Sequence, residues 1–384
     1  MIYKRGKRWR VIVYAGRDPI TGRKRQKSVT VATRAEAKQA EARLITEVGA
    51  GQHRGPANRT VAELLDRWLE WRQNVRPISP TTVATYRGYI DRTIVPALGK
   101  LQLGRLDAAT LDAFYAHLRK QGGKGGRPMA ASSVHQVHAI FSGALNRAVV
   151  WRWIADNPAR LASPPSIERT DLQPPAAEDA AQLLSVALAE DRELGLFLRL
   201  AVVLGARRGE LCALRWSDVD LDRGEVLIAG GIVRVPGQSL VDRATKTHAK
   251  RRVAIGADTA EVLRAHWLAQ AKDALACGTT LAADAYVFSH APDGSAPINP
   301  DGITHRFRRL ARRLGVRCRL HDLRHFMVTQ LVAGVVDWRT VAGRAGHADG
   351  HMTLSTYAHF QQAQDRQAAD FMDQLLVTAD RKSR

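Results

Sequence analysis

Apolar residues follow two periods along this chain, first a strand-like alternation and then helical spacing. RWRVIVYAG (8–16) alternates as a strand does, RDPITGRKRQ carries the Pro and Gly of a turn, and KSVTVAT (27–33) reads as a further strand. TRAEAKQAEARLITEVGAG has helical composition, with Thr33 at the N-cap, Glu36 three residues on and Gly49 near the stop. Together these predict an N-terminal domain over 1–56, a small three-stranded β-sheet plus one helix, with GQHRGPAN (51–58) as a linker. In TVAELLDRWLEWRQNV, Thr60 and Glu63 stand in capping-box register, and Val61, Leu64, Leu65, Trp68 and Leu69 mark one helical face. Further helices are expected near 80–92, 107–121 and 131–150, giving a helical domain over 57–162. QGGKGGRP (121–128) has no GK[ST] at phosphate-loop spacing and reads as a connection.

The prolines and polar residues of 163–175 mark an interdomain linker. From 176 to 384 the pattern predicts a mostly α domain with a small β-sheet, of α+β type. AAEDAAQLLSVALAE and ELGLFLRLAVVLGA are core helices, and EVLIAGGIVRV, KRRVAI and AYVFSH are strands. HRFRRLARRLGVRCR (305–319) reads as a helix with an apolar rib at Phe307, Leu310 and Leu314; its seven arginines and no acid make it a candidate DNA-backbone face. The whole is a multidomain, mainly α protein.

Charge narrows the partner. Lys and Arg total 58 against 37 Asp and Glu, a formal +21 with a sequence pI near 10.6. Such an excess favours a polyanion, and nucleic acid above others. Residues 1–27 alone hold ten Lys or Arg against one acid, Asp18, which turns the predicted sheet into a candidate DNA reader. Cys212, Cys277 and Cys318 are scattered with no CxxC, so a disulfide framework and a cysteine metal site are both unsupported, as suits a reducing cytoplasm. No apolar run reaches membrane-span length, so no membrane partner is expected.

Four short stretches carry candidate chemistry. Arg207 in GARRGE could clamp a phosphate with its planar fork; taken alone it reads instead as a surface arginine paired with Glu210. Lys246 in TKT lies in a polar turn and could protonate a leaving oxygen. In HDLRH, His321 and Arg324 share a helical face. His321 and His325, and again the two histidines of HADGH (347–351), have the spacing of helical metal ligands; the lack of HExxH and the crowd of arginines argue against a metal. His347 precedes Tyr357 by ten residues in GHADGHMTLSTY, and a tyrosine nucleophile needs cationic partners around an electrophilic phosphorus.

In combination and order, GARRGE, TKT, HDLRH, AGH and TYAH resemble the tyrosine recombinase (phage integrase) family. The resemblance covers essentially the whole chain. It implies an arm-type DNA-binding domain at 1–56, a core-type one at 57–162 and a catalytic domain at 176–384. It also implies a site-specific recombinase that works through a 3′-phosphotyrosyl intermediate without metal, ATP or other cofactor. By this resemblance Tyr357 is the nucleophile, Arg207 and Arg324 clamp the phosphate, and Lys246 protonates the 5′-oxygen. His321 assists proton transfer and His347 bonds the phosphate, while Glu210 holds the Arg207 loop. The partners implied are double-stranded DNA attachment sites and a homotetramer on DNA, with DNA-bending and excisionase proteins as helpers, in a cytoplasmic, nucleoid-associated setting. The helical tail 365–380 docks on a neighbouring subunit or folds back on its own domain. Arg344 stands where the family usually has an apolar residue, and His351 is an extra histidine. The rival classes are a DNA-binding protein without catalysis and a metal-dependent nuclease.

Overall fold

The computed structural model describes residues 1–6, 8–17, 24–49, 59–167, 174–235, 237, 239–244, 250–334 and 336–346. The linker expected at 51–58 and the tail at 365–380 lie outside the described residues. The chain divides into two compact units, Met1–Arg169 and Thr170–Arg384.

The first unit opens with β1 (Ile2–Arg5), β2 (Arg8–Arg17) and β3 (Lys24–Val31), an antiparallel sheet in that order. β1 completes the three strands expected, although only Ile2 and Tyr3 are apolar in it. Helix α1 (Arg34–Gly49) covers one face, where Val11, Ala37 and Leu44 are buried together. The expected capping box is present: Glu36 N–H donates to Thr33 Oγ1 at 3.2 Å, and Thr33 N–H donates to Glu36 Oε2 at 3.3 Å. Pairing of Tyr3 with Arg10, Arg10 with Thr30, Ile12 with Ser28 and Tyr14 with Gln26 puts these residues on the other face.

Helices α2 (Val61–Asn74), α3 (Pro80–Tyr89), α4 (Val95–Leu98), α5 (Ala108–Gln121) and α6 (Ala131–Val150) follow. The predicted face of α2 is the buried one, at Val61, Leu64, Leu65, Trp68 and Leu69. Thr60 and Glu63 close the capping box at 3.2 and 3.3 Å. A π-helical turn, Ile90–Ile94, joins α3 to α4 just ahead of Pro96. Pro96 has no N–H for the carbonyl four residues back, and a wider turn accommodates its ring. Arg59 lies over the Trp153 ring at 3.7 Å and Arg147 over Trp71 at 3.8 Å, covering indoles at the margin of this core.

The second unit contains α7 (Ala177–Glu190), α8 (Arg192–Leu204), α9 (Arg208–Cys212), β4 (Val219–Asp220), β5 (Glu225–Ile228), β6 (Gly230–Arg234), β7 (Leu240–Ala244) and β8 (Arg251–Ala254). Then come α10 (Ala257–Ala276), α11 (Pro300–Arg313), α12 (Asp322–Ala333) and α13 (Trp338–Ala345). One sheet has the order β4-β5-β8, and β6 pairs β7 as a separate hairpin. Here the structure corrects the sequence reading. EVLIAGGIVRV is two strands in two sheets, parted at Ala229. AYVFSH is no strand: Tyr286 makes one isolated bridge to Arg215, while Val287 and Phe288 fill the core. Helix α11 begins at Pro300, five residues before the predicted stretch, and stops at Arg313, where Gly315 turns the chain with φ 72°.

One terminus is strained. Helix α6 ends in a Schellman turn, with Trp153 N–H donating to Ala148 O at 2.8 Å and Arg152 N–H to Val149 O at 2.9 Å. The left-handed position is Arg152, at φ 58°, where glycine is the usual occupant. The left-handed region costs an L-residue about 1–2 kcal/mol, and glycine returns about 0.5–1 of that as unfolded-chain entropy. Arg152→Gly is therefore expected to stabilise the helical domain by about 0.5–1 kcal/mol in urea unfolding; a loss of stability would show that the arginine side chain outweighs its backbone strain.

Candidate active site

Arg207, His321 and Arg324 lie among the described residues; Lys246, His347 and Tyr357 lie outside them. The first three are brought together by the close approach of α8 and α12. Helix α8 ends at Gly205, in the left-handed conformation at φ 56°. A Cβ there would fall 1.9 Å from Met327 Cε of α12, a side-chain end that can move aside, so it is the left-handed turn that favours glycine. The Gly205 carbonyl accepts a hydrogen bond from Arg324 Nη1. Arg324 is thus anchored on the backbone two residues ahead of Arg207, with 3% of its surface exposed.

Arg207 is the N-cap residue of α9, in extended conformation. Its N–H donates to Glu210 Oε2 and its Nη1 to Glu210 Oε1, both at 2.9 Å. Nη2 reaches the Gly346 carbonyl at 3.4 Å. The pairing of Glu210 with Arg207 read from the sequence is present, but Glu210 has a second partner that the sequence reading passed over. Arg251 Nη2 donates to Glu210 Oε2 at 2.7 Å, and Arg251 Nε donates to Arg344 O at 2.9 Å. A signal was available: on β8, Arg251 shares a face with the fully buried Val253, a place for an apolar residue. Burial pushes the Glu210 carboxyl up, and the bonds and charge of Arg251, with those of Arg207, outweigh it and leave the carboxyl below its ordinary value.

Neighbouring arginines fix the scaffold. Arg208 Nη1 donates to Thr304 Oγ1 at 2.6 Å and to Pro300 O at 3.2 Å, holding α9 to the start of α11. Asp301 pairs with both Arg208, at 3.2 Å, and Arg234 of β6, at 3.0 Å. Arg344, the departure noted in the sequence, donates from Nη2 to Val203 O at 2.8 Å and to Ala254 O at 3.2 Å. It ties α13 to the end of α8 and the end of β8, which an apolar side chain could not do.

His321 stands just before α12. Its position follows from Asp322, whose carboxylate accepts the Arg319 N–H at 2.7 Å and the Arg319 guanidinium at 2.8 Å, closing the preceding turn. The rings of His321 and His325 meet edge to face, centroids 4.9 Å apart. Desolvation, then the charges of His325 and Arg324, and Arg207 besides, push the His321 pKa down to about 4, against the opposing pull of Asp322. His321 is therefore neutral near pH 7 and can accept or relay a proton. Among the described residues no group of three or more His, Cys, Asp or Glu side chains could hold a metal ion.

The arginine-rich helix is corrected in part. Arg306 pairs with Asp191 and Glu193, Arg313 with Glu190, and Arg319 with Asp322. These cations brace α11 against the α7–α8 turn and close the turn before α12. Arg308, Arg309, Arg312 and Arg317 are exposed and have no ion-pair partner among the described residues. They, and the open face of the N-terminal sheet with Tyr3, Arg10, Tyr14, Gln26, Ser28 and Thr30, are the candidate nucleic-acid surfaces.

Sequence profiles match three segments: the phage integrase family over residues 176–364, an arm DNA-binding domain over 1–48, and a phage integrase N-terminal SAM-like domain over 60–119. The chain is 24% identical over 373 residues to the ICEBs1 integrase of Bacillus subtilis, covering 96% of this chain and 97% of that one. It is 29% identical over 311 residues to the tyrosine recombinase XerC of Xylella fastidiosa, covering 78% and 92%. The fold is shared with the Tn1549 transposon integrase in complex with circular intermediate DNA, at TM-score 0.68 and 16% identity over 81% of this chain and 99% of that one. A lambda integrase tetramer bound to a Holliday junction matches at TM-score 0.60 and 19% identity, over 92% and 94%.

Two measurements check this geometry. Glu210→Ala leaves the Arg251 guanidinium buried without its counter-charge, and is expected to cost about 3 kcal/mol or more in chemical unfolding; a loss below about 1 kcal/mol would dissolve the cluster. In NMR titration of the DNA-free protein, His321 is expected to titrate near pH 4. Because this folded-state value lies below the unfolded one of about 6.5, the unfolded chain takes up the proton first, and stability falls as pH drops from about 6.5 to about 4. A His321 pKa at or above 6 would contradict the arrangement.

Proposed function

This chain belongs to the tyrosine recombinase (phage integrase) family, and we infer from that membership and from the geometry around Arg207 that it is a site-specific DNA recombinase. It cleaves and rejoins DNA through a 3′-phosphotyrosyl intermediate and integrates a phage or mobile element. The observation that carries the reading is the anchoring of Arg207 and Arg324 around Gly205 and Glu210, close to His321.

The assignment of roles follows the chemistry. Tyr357 Oη attacks a backbone phosphorus, an O–P bond forms, and the bond from phosphorus to the 5′-oxygen breaks. Arg207 and Arg324 hold the non-bridging oxygens as negative charge builds on them, where a preorganised donor is worth about 3–4 kcal/mol. His321 takes or relays the phenol proton, His347 donates to the phosphate, and Lys246 gives a proton to the departing 5′-oxygen. A 5′-hydroxyl from the partner duplex then attacks the phosphotyrosine and restores the backbone. Each new bond replaces one of the same kind, so neither ATP nor a metal enters the balance.

Strand exchange between two duplexes takes four cleavages, and the working assembly is a homotetramer on attachment-site DNA. Residues 1–56 engage arm-type sites, 57–162 the core site, and 176–384 hold the chemistry. DNA-bending and excisionase proteins set the direction. No described helix is long and apolar enough to cross a membrane; the expected setting is the cytoplasm, at the nucleoid.

The test uses nicked duplex carrying the core sequence that the protein selects from a random pool, incubated in EDTA. A covalent protein–DNA adduct is expected, absent in Tyr357→Phe and slowed at least about a hundredfold in Arg324→Ala. Tight binding with no adduct would favour a DNA-binding protein without catalysis; cleavage abolished by EDTA would favour a metal-dependent nuclease.

A further inference from the structure

We propose, on the recombinase reading above, that Arg251 is a positioning residue for cleavage: it sets Arg207 through Glu210 and also grips the end of α13, from which the chain enters His347. Its side chain is 10% exposed and Glu210 6%, so their contact is largely shielded from water. The planar fork points two ways at once. Nη2 donates to Glu210 Oε2 at 2.7 Å, the oxygen that also accepts the Arg207 N–H at 2.9 Å. Nε donates to Arg344 O at 2.9 Å. The backbone of Gly346 lies against the guanidinium: a Cβ there would stand 2.7 Å from Nη1 and 2.9 Å from Cζ. Gly346 itself is left-handed at φ 64°, which favours glycine, and a side chain there would push the guanidinium aside. The carbonyl of this glycine is also the one that Arg207 Nη2 approaches at 3.4 Å.

Two arginines far apart in sequence therefore bracket one carboxylate and one stretch of backbone, 344–346. Moving Arg251 displaces the clamp and the exit of α13 together. β8 begins with Arg251, five residues after Lys246 in the chain, so the strand that places Arg251 is also the one the Lys246 segment runs into. A lysine has one nitrogen and cannot serve both acceptors with this geometry. A purely structural arginine would matter to stability alone; a positioning arginine matters to the charge that the clamp neutralises.

Single-turnover adduct formation on the nicked core duplex tests this, with the scissile group either a phosphodiester or a methylphosphonate. The methylphosphonate lacks one anionic oxygen and needs the clamp less. Arg251→Met is expected to slow adduct formation on phosphodiester about a hundredfold, the order expected for misplacement by about 1 Å. Duplex binding should change less than about threefold, and the defect should shrink at least about tenfold on methylphosphonate. Should Arg251→Met not fold, Arg251→Lys, which keeps the charge, is expected to show the same substrate-dependent defect with a native circular dichroism spectrum. Equal slowing on both substrates, or none, overturns the proposal while leaving the recombinase reading intact. No adduct with the wild-type protein on either substrate overturns that reading itself.

Discussion

A single buried carboxylate organises the surroundings of Arg207 in the second unit. Glu210 is 6% exposed and stands between Arg207 and Arg251, with the backbone N–H of Arg207 as a further donor. An isolated carboxylate so buried would be strongly unfavourable, and an isolated guanidinium hardly less so. Each is tolerable because the others are present, which couples the start of α9, the strand β8 and the end of α13 in one electrostatic unit. The fold has to deliver all three segments to one place before any of them is stable there.

Apolar packing sets the other half of the site. α12 approaches the end of α8 closely enough for Met327 Cε to lie over Gly205 and for Arg324 to reach the Gly205 carbonyl. One arginine is held by a carboxylate and the other on a backbone oxygen. The pKa of His321 is lowered first by desolvation, then by the charges of His325 and Arg324, with Arg207 a lesser contributor.

What the sequence disclosed depended on the range of the interaction. Capping boxes at Thr33–Glu36 and Thr60–Glu63, and the buried face of α2, are local, and they were legible. The break at Ala229 and the loss of strand pairing at AYVFSH depend on which sheet each segment joins, and no local pattern encodes that. Arg207 and Glu210 are three residues apart, so their pairing could be anticipated; Arg251 is 41 residues from its partner and could not be matched to it. The arginine-rich stretch 305–319 looked uniform because its acidic partners at Glu190, Asp191 and Glu193 sit over a hundred residues upstream. Lys246, His347 and Tyr357 are read from family resemblance alone and lie outside the described residues.

The internal pairing of that helix bears on how the protein should respond to salt. Of the seven arginines in 305–319, at least Arg306, Arg313 and Arg319 are already neutralised by the protein's own carboxylates. A cation that never displaces a condensed ion from DNA adds nothing to the salt dependence of binding, and each one that does adds about 0.9 to the slope of log K against log salt. This segment can therefore contribute at most four such increments, and the formal +21 of the chain overstates the number of ions released when it sits on its site. Of these pairs, only that of Arg306 with Asp191 and Glu193 is largely shielded from solvent, and it is the one least weakened by salt.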